Sequence, residues 1–236
     1  MNQISLPRVA KNSIEVLLER NQIDIDNNPV DPRVFGRNTF NLIYGSRFTG
    51  KTCMIAYIVK KFYLKRGLFD SIIILTPSTL DKAWNNIRHR KRVTLINKCN
   101  NSLLNDILDA QEERVMNGER KHVLLIIDDF ATQGRCLKAL EEIAVRGRHA
   151  YITCITTAQY SRLLSPTIRM NAQGVVLFKM SDKELENLSD EGLRTLVDKN
   201  DFIEWVKEHT NKPRSFVYIN LRDPKRVFNL GFSDSV

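Results

Sequence analysis

The stretch Gly45-Ser-Arg-Phe-Thr-Gly-Lys-Thr52 stands between an apolar run, Phe40–Tyr44, and a run with helical spacing, Lys51–Lys65. It fits the pattern G-x-x-x-x-G-K-[ST], in which a glycine-containing loop joins a strand to a helix and cradles phosphates. Gly45 and Gly50 let the backbone turn so that successive N–H groups face phosphate oxygens, and the helix starting near Lys51 adds the positive end of its dipole. Lys51 would reach the β- and γ-phosphates of ATP, and the Thr52 hydroxyl would ligate Mg²⁺. The nucleotide-binding stretch is thus Gly45, Ser46, Arg47, Phe48, Thr49, Gly50, Lys51, Thr52 and Cys53. The competing reading, a strand-to-helix turn with a surface lysine, gives no reason for strand, loop and helix to follow in this order.

Outward from the loop, apolar β-branched runs recur at Ser71–Thr76, Val93–Ile96, His122–Asp128, Tyr151–Thr157, Gly174–Met180 and Phe216–Leu221. Helical spacing fills Leu103–Met116, Cys136–Val145 and Ser181–Glu208 between them. Strands that are continuously apolar and separated by helices predict a mainly parallel central sheet flanked by helices on both faces. Residues 12–21 read as a short helix, followed by a polar connector to Arg37. The expected organisation is an N-terminal helix and connector over 1–37 and one ATPase domain over 38–236, whose C-terminal part begins near 181.

A phosphate loop needs an acid on a neighbouring strand, and Val123-Leu-Leu-Ile-Ile-Asp128-Asp129 offers two after five aliphatic residues. Asp128 is the expected Mg²⁺ acid. Strand alternation turns Asp129 to another side, towards an attacking water. A further buried strand, Tyr151–Thr157, leads to Gln159, which can touch the γ-phosphate or the water. The long interval between Lys51 and Asp128 accommodates at least one complete strand. That spacing predicts the additional-strand class of RecA-like P-loop NTPase, with a strand inserted between the two motif strands. A guanine-reading N-K-x-D is missing, since Asp198-Lys-Asn-Asp201 has the wrong first residue and Asn211-Lys-Pro-Arg214 the wrong last.

Together, GSRFTGKT, LLIIDDF and RGRHAYITCITTAQYSRLLSPTIRMNAQGVVLF resemble the FtsK/HerA superfamily, specifically the genome-packaging ATPases of poxviruses, other large DNA viruses and virophages. The resemblance covers Asn38 to Met180. It implies that Asp128 is the metal acid, Asp129 the catalytic acid and Gln159 the sensor. It also implies an arginine finger that reaches a neighbouring subunit's ATP, supplied by Arg169 or, as the lesser candidate, Arg148. The wider superfamily often has Glu where Asp129 stands, one methylene longer. The partners implied are double-stranded DNA, further copies in a pentameric or hexameric ring, and a capsid protein at the packaging vertex. The implied location is the host cytoplasm or the virion.

Composition sets outer limits on this reading. With 236 residues, 42% of them hydrophobic, the chain can bury one sizeable core, and its net charge of +9 suits a polyanionic partner. The start lacks a signal-peptide core and the longest aliphatic run, Val123–Ile127, is too short to cross a bilayer, so a soluble intracellular protein without membrane contact is expected. Cys53, Cys99, Cys136 and Cys154 lie far apart without metal-ligand spacing and read as buried thiols. The densest basic run, Arg88, Arg90, Lys91 and Arg92, either tracks DNA phosphates or forms a solvated turn. A packaging motor, a DNA helicase or recombination motor with the same core, and a nucleotide-switched assembly module with low turnover all remain open.

Overall fold

In the computed structural model, residues 35–130, 136–190, 198–221 and 226–230 are described. Each apolar run read from the sequence forms a strand: β1 Phe40–Tyr44, β2 Ser71–Leu75, β3 Val93–Ile96, β4 Val123–Ile127, β5 Ile152–Ala158, β6 Gly174–Leu177 and β7 Phe216–Asn220. An additional strand, β8 Arg226–Leu230, was not expected. The helices are α1 Lys51–Ile58, α2 Asn101–Met116, α3 Leu137–Arg146, α4 Pro166–Met170, α5 Asp182–Leu188 and α6 Lys199–His209.

The eight strands form one sheet in the order β3-β2-β4-β5-β1-β6-β7-β8. Pairing is parallel from β3 through β6 and antiparallel for β6–β7 and β7–β8. A strand does separate the phosphate-loop strand β1 from the acid-bearing strand β4. It is β5, the strand leading to Gln159, and not one of the strands that lie between the motifs in sequence. Alternation along β1 builds both cores: Leu42 and Tyr44 pack towards α2 to α6, while Ile43 packs towards α1. All five residues of β4 are buried, which accounts for its unbroken aliphatic run. Burying each such side chain is worth about 2 kcal/mol in apolar transfer.

Two helical expectations need correction. Lys51–Lys65 is not one α-helix, because α1 widens into a π-turn over Val59–Leu64. There both Phe62 and Tyr63 are buried, and the Tyr63 hydroxyl donates to the Phe35 carbonyl at 2.9 Å. Among the described residues, Ser181–Glu208 is likewise divided between α5 and α6, and the Asp198 side chain accepts from the Asn200 N–H and so starts α6 afresh.

The helix expected at 12–21 lies outside the described residues. Phe35 already belongs to the domain, 2% exposed and edge-on to Tyr218 with ring centroids 5.4 Å apart. No helix among the described residues is long and apolar enough to cross a membrane.

Candidate nucleotide site

The parallel strands β1, β4 and β5 all point their C-terminal ends to one sheet edge, and the phosphate loop leaves β1 there. Gly45 hydrogen-bonds the Ala158 carbonyl and Ser46 the Lys179 carbonyl, so the loop is anchored to the ends of both neighbouring strands. A Cβ at Gly45 would fall 2.6 Å from the Phe178 Cβ, a collision that restricts the position to glycine. Gly50 has φ of 105° and Phe48 has φ of 62°, which turns the backbone inward. No side chain caps α1 and no acid lies in its first turn, so its free N–H groups and dipole are available to an anion.

Lys51 is 6% exposed, and its ammonium donates to the carbonyls of Gly45 and Ser46, each at 2.9 Å. Burial pulls its pKa below the usual lysine range, opposed by the charges of Asp129 and Asp128. The Thr52 hydroxyl donates to Asp128 Oδ2 at 2.8 Å, joining the start of α1 to the end of β4. Asp128 is 2% exposed. Burial first, then the adjacent Asp129 charge, pushes its carboxyl up to about 6, against the hydrogen bonds from Thr52 and Thr157. A hydroxyl and a buried carboxylate that is costly to ionise without a counter-charge fit a Mg²⁺ ion completed by phosphate oxygens. Asp129 differs in being exposed, with φ of 58°, while its charge still acts on Lys51 and Asp128.

Thr157 was not singled out in the sequence. Its hydroxyl donates to Asp128 Oδ1 at 3.0 Å and accepts from the Asp129 N–H at 2.9 Å, so one fully buried group sets the geometry of both acids. The available signal was three threonines, Thr153, Thr156 and Thr157, in a strand that is apolar elsewhere, with no indication of which faced the acids. Thr157→Val keeps the shape and strands both partners, and is expected to cost about 1–3 kcal/mol in denaturant unfolding. Turnover should fall more than ATP affinity, and Thr157→Ser should restore both. Wild-type behaviour of the valine variant would remove Thr157 from the site.

Gln159 is half-buried at the end of β5, at the same sheet edge as the phosphate loop. Arg169 is half-buried on α4, and its guanidinium donates to the carbonyls of Ser161 and Leu164 in the turn that follows Gln159. Arg148 is exposed in the turn before β5, at the opposite sheet edge, where its Nε lies 3.1 Å from His149 Nε2. Arg88, Arg90, Lys91 and Arg92 precede β3, also at the edge away from the phosphates. Arg88 donates to the Asp81 carbonyl and Arg92 to the Phe69 carbonyl, whereas Arg90 and Lys91 are exposed. The expectation of buried thiols fails for Cys53, which is exposed on α1. Cys99, Cys136 and Cys154 are buried.

A family model described as Poxvirus A32 protein matches residues 33–220. Among solved structures, the genome packaging NTPase B204 from Sulfolobus turreted icosahedral virus 2, in complex with ATP-gammaS, is similar at a TM-score of 0.59 and 18% identity. The match covers 86% of this chain and 100% of that one. The DNA-packaging ATPase B204 from Sulfolobus turreted icosahedral virus gives 0.59 and 18%, over 83% and 98% of the two chains. The cytoplasmic domain of the Thermomonospora curvata Type VII secretion ATPase EccC gives 0.58 and 16%, over 84% of this chain and 24% of that one. No curated protein matches the chain in sequence. At these identities the structural likeness establishes the fold, that of a P-loop NTPase.

Proposed function

The chain belongs to the poxvirus A32 protein family, and from that premise we propose that it is a genome-packaging ATPase that hydrolyses ATP to drive double-stranded viral DNA into a capsid. The observation that carries the reading is the meeting of Lys51, Thr52, Asp128 and Asp129 at one sheet edge, with the Thr52 hydroxyl 2.8 Å from the Asp128 carboxylate. The likeness to B204, a genome packaging NTPase and DNA-packaging ATPase, supports it.

In this reading Lys51 exchanges two backbone carbonyls for phosphate oxygens and balances the charge that develops as the terminal phosphate leaves. Thr52 and Asp128 would hold Mg²⁺, which supplies charge neutralisation on the phosphates. Asp129, exposed and held in a left-handed backbone by Thr157, orients the attacking water and accepts its proton. Gln159 links that water to the turn at Ser161–Leu164. Arg169, on α4 and held by the carbonyls of that turn, serves a neighbouring subunit of a ring.

The basic run Arg88–Arg92 contacts DNA at the sheet edge opposite the ATP site. Arg90 and Lys91, exposed and without ion-pair partners among the described residues, are the donors best placed to meet phosphates. Duplex DNA should raise ATP turnover, and affinity for random-sequence duplex should fall steeply with salt. Neutralising Arg88, Arg90, Lys91 and Arg92 should flatten the log–log salt slope by about 1 per lost phosphate contact. Displacement of a triplex-forming strand from a duplex, without separation of the duplex strands, would mark translocation. Strand separation would identify a helicase. Absence of DNA binding by the assembled protein would identify a nucleotide-switched assembly module.

A further inference from the structure

An arginine far along the chain reaches the phosphate loop. β7 runs antiparallel to β6, with Val217 opposite Leu177, and Leu177 is in turn opposite Tyr44 at the end of β1. The turn entering β7 therefore lies at the sheet edge that carries the loop. Phe178 and Phe216 clamp this junction with ring centroids 5.2 Å apart. Ser215 closes the turn by donating its N–H and its hydroxyl to the Lys212 carbonyl, at 3.2 and 2.7 Å.

Arg214 sits within this turn. A Cβ built on Gly50 would lie 3.5 Å from the Arg214 Cγ and 3.8 Å from its Cβ, so the arginine stem runs over the glycine that opens α1. Its φ is 62°, a left-handed conformation that is costly for a long side chain and that the braced turn imposes. The side chain is exposed, and among the described residues its guanidinium has neither a hydrogen bond nor an ion pair. A cation held in a strained backbone beside uncapped helix N–H groups, with no protein acceptor, is arranged for an anionic ligand.

We propose that Arg214 binds the phosphates of the nucleotide within its own subunit. The proposal rests on the ATP-binding reading above and adds to it a residue that lies beyond β6, α5 and α6, far along the chain from the strand leading to Gln159. Packing of the stem and binding by the guanidinium are separable. Arg214→Met keeps an unbranched stem over Gly50 and removes the charge. Arg214→Gly relieves the left-handed backbone, so lost binding cannot be blamed on misfolding.

The experiment measures binding of ATP and of inorganic tripolyphosphate to the full chain, with Lys51→Ala as the control for the phosphate loop itself. Arg214→Met and Arg214→Gly should each weaken both ligands by about 10- to 100-fold, the scale of a hydrogen bond between charged partners. Arg214→Lys should retain part of the affinity, and the melting temperature of Arg214→Gly should not fall. Wild-type tripolyphosphate affinity in Arg214→Met, while Lys51→Ala fails to bind, would overturn the proposal and leave the phosphate loop intact. Undiminished binding in Lys51→Ala would instead overturn the ATP reading on which it rests. Mixing Arg214→Met with Lys51→Ala should restore no ATPase activity. Recovery would place Arg214 in a neighbour's site and overturn its assignment to its own subunit.

Discussion

Lys51→Ala is expected to lower ATP turnover by at least about 100-fold, the scale of removing a preorganised charge stabiliser from a water-excluded site. Lys51 is 6% exposed and its ammonium is held by two loop carbonyls, so the charge is already confined to the loop before those carbonyls are exchanged for phosphate oxygens. ATP affinity should fall as well, because the charge meets the phosphates in the ground state and in the transition state alike. The far-ultraviolet circular dichroism spectrum should not change, since the strands that form the core do not depend on this side chain. Near-normal turnover would sink the phosphate-loop assignment. The same variant tests the ring. Arg169→Ala should bind ATP and turn it over slowly, and in mixed assemblies a Lys51→Ala subunit can donate Arg169 to an intact phosphate loop next door. Partial recovery of activity, absent from either variant alone, is expected. If subunits exchange and no activity returns, Arg169 serves only the turn whose Ser161 and Leu164 carbonyls it holds, and Arg148 becomes the finger to test.

Asp129→Asn is expected to bind Mg-ATP within a few-fold of wild type and to hydrolyse it about 100-fold or more slowly, as loss of a general base commonly does. Asparagine tolerates left-handed backbone as well as aspartate, so the φ of 58° at this position survives the change and the comparison isolates the charge. The contact between Thr52 and Asp128, the pair proposed to hold Mg²⁺, is untouched. Asp128→Asn should behave oppositely, losing Mg²⁺-dependent nucleotide binding. If Asp129→Asn lost binding while Asp128→Asn retained it, the roles of the two carboxylates would be exchanged. Equilibrium binding of a fluorescent nucleotide beside steady-state phosphate release separates the two cases.

Much of the site was legible locally. A phosphate loop needs glycines where the backbone turns left-handed or approaches a neighbour, and Gly45 and Gly50 occupy those positions. Buried parallel strands need uninterrupted apolar runs, so β4 and the two acids after it could be read directly. Helix ends depend on single caps against a continuing periodicity, and Asp198 was therefore overlooked inside Ser181–Glu208. Beyond such local rules, strand order decides proximity. Inserting β5 between β1 and β4 carries Thr157 to Asp128 and Asp129, and the reversal of β7 carries Arg214 to Gly50. The parallel direction of β3 and β5 leaves Arg148 and Arg88–Arg92, which precede those strands, at the far edge. Backbone preference and burial act over a few residues, so the sequence by itself determined the loop, the acids and the parallel sheet. Neighbours across the sheet are chosen by how whole faces pack, and only the tertiary structure decided which distant side chains share the edge that carries the Gly45–Thr52 loop.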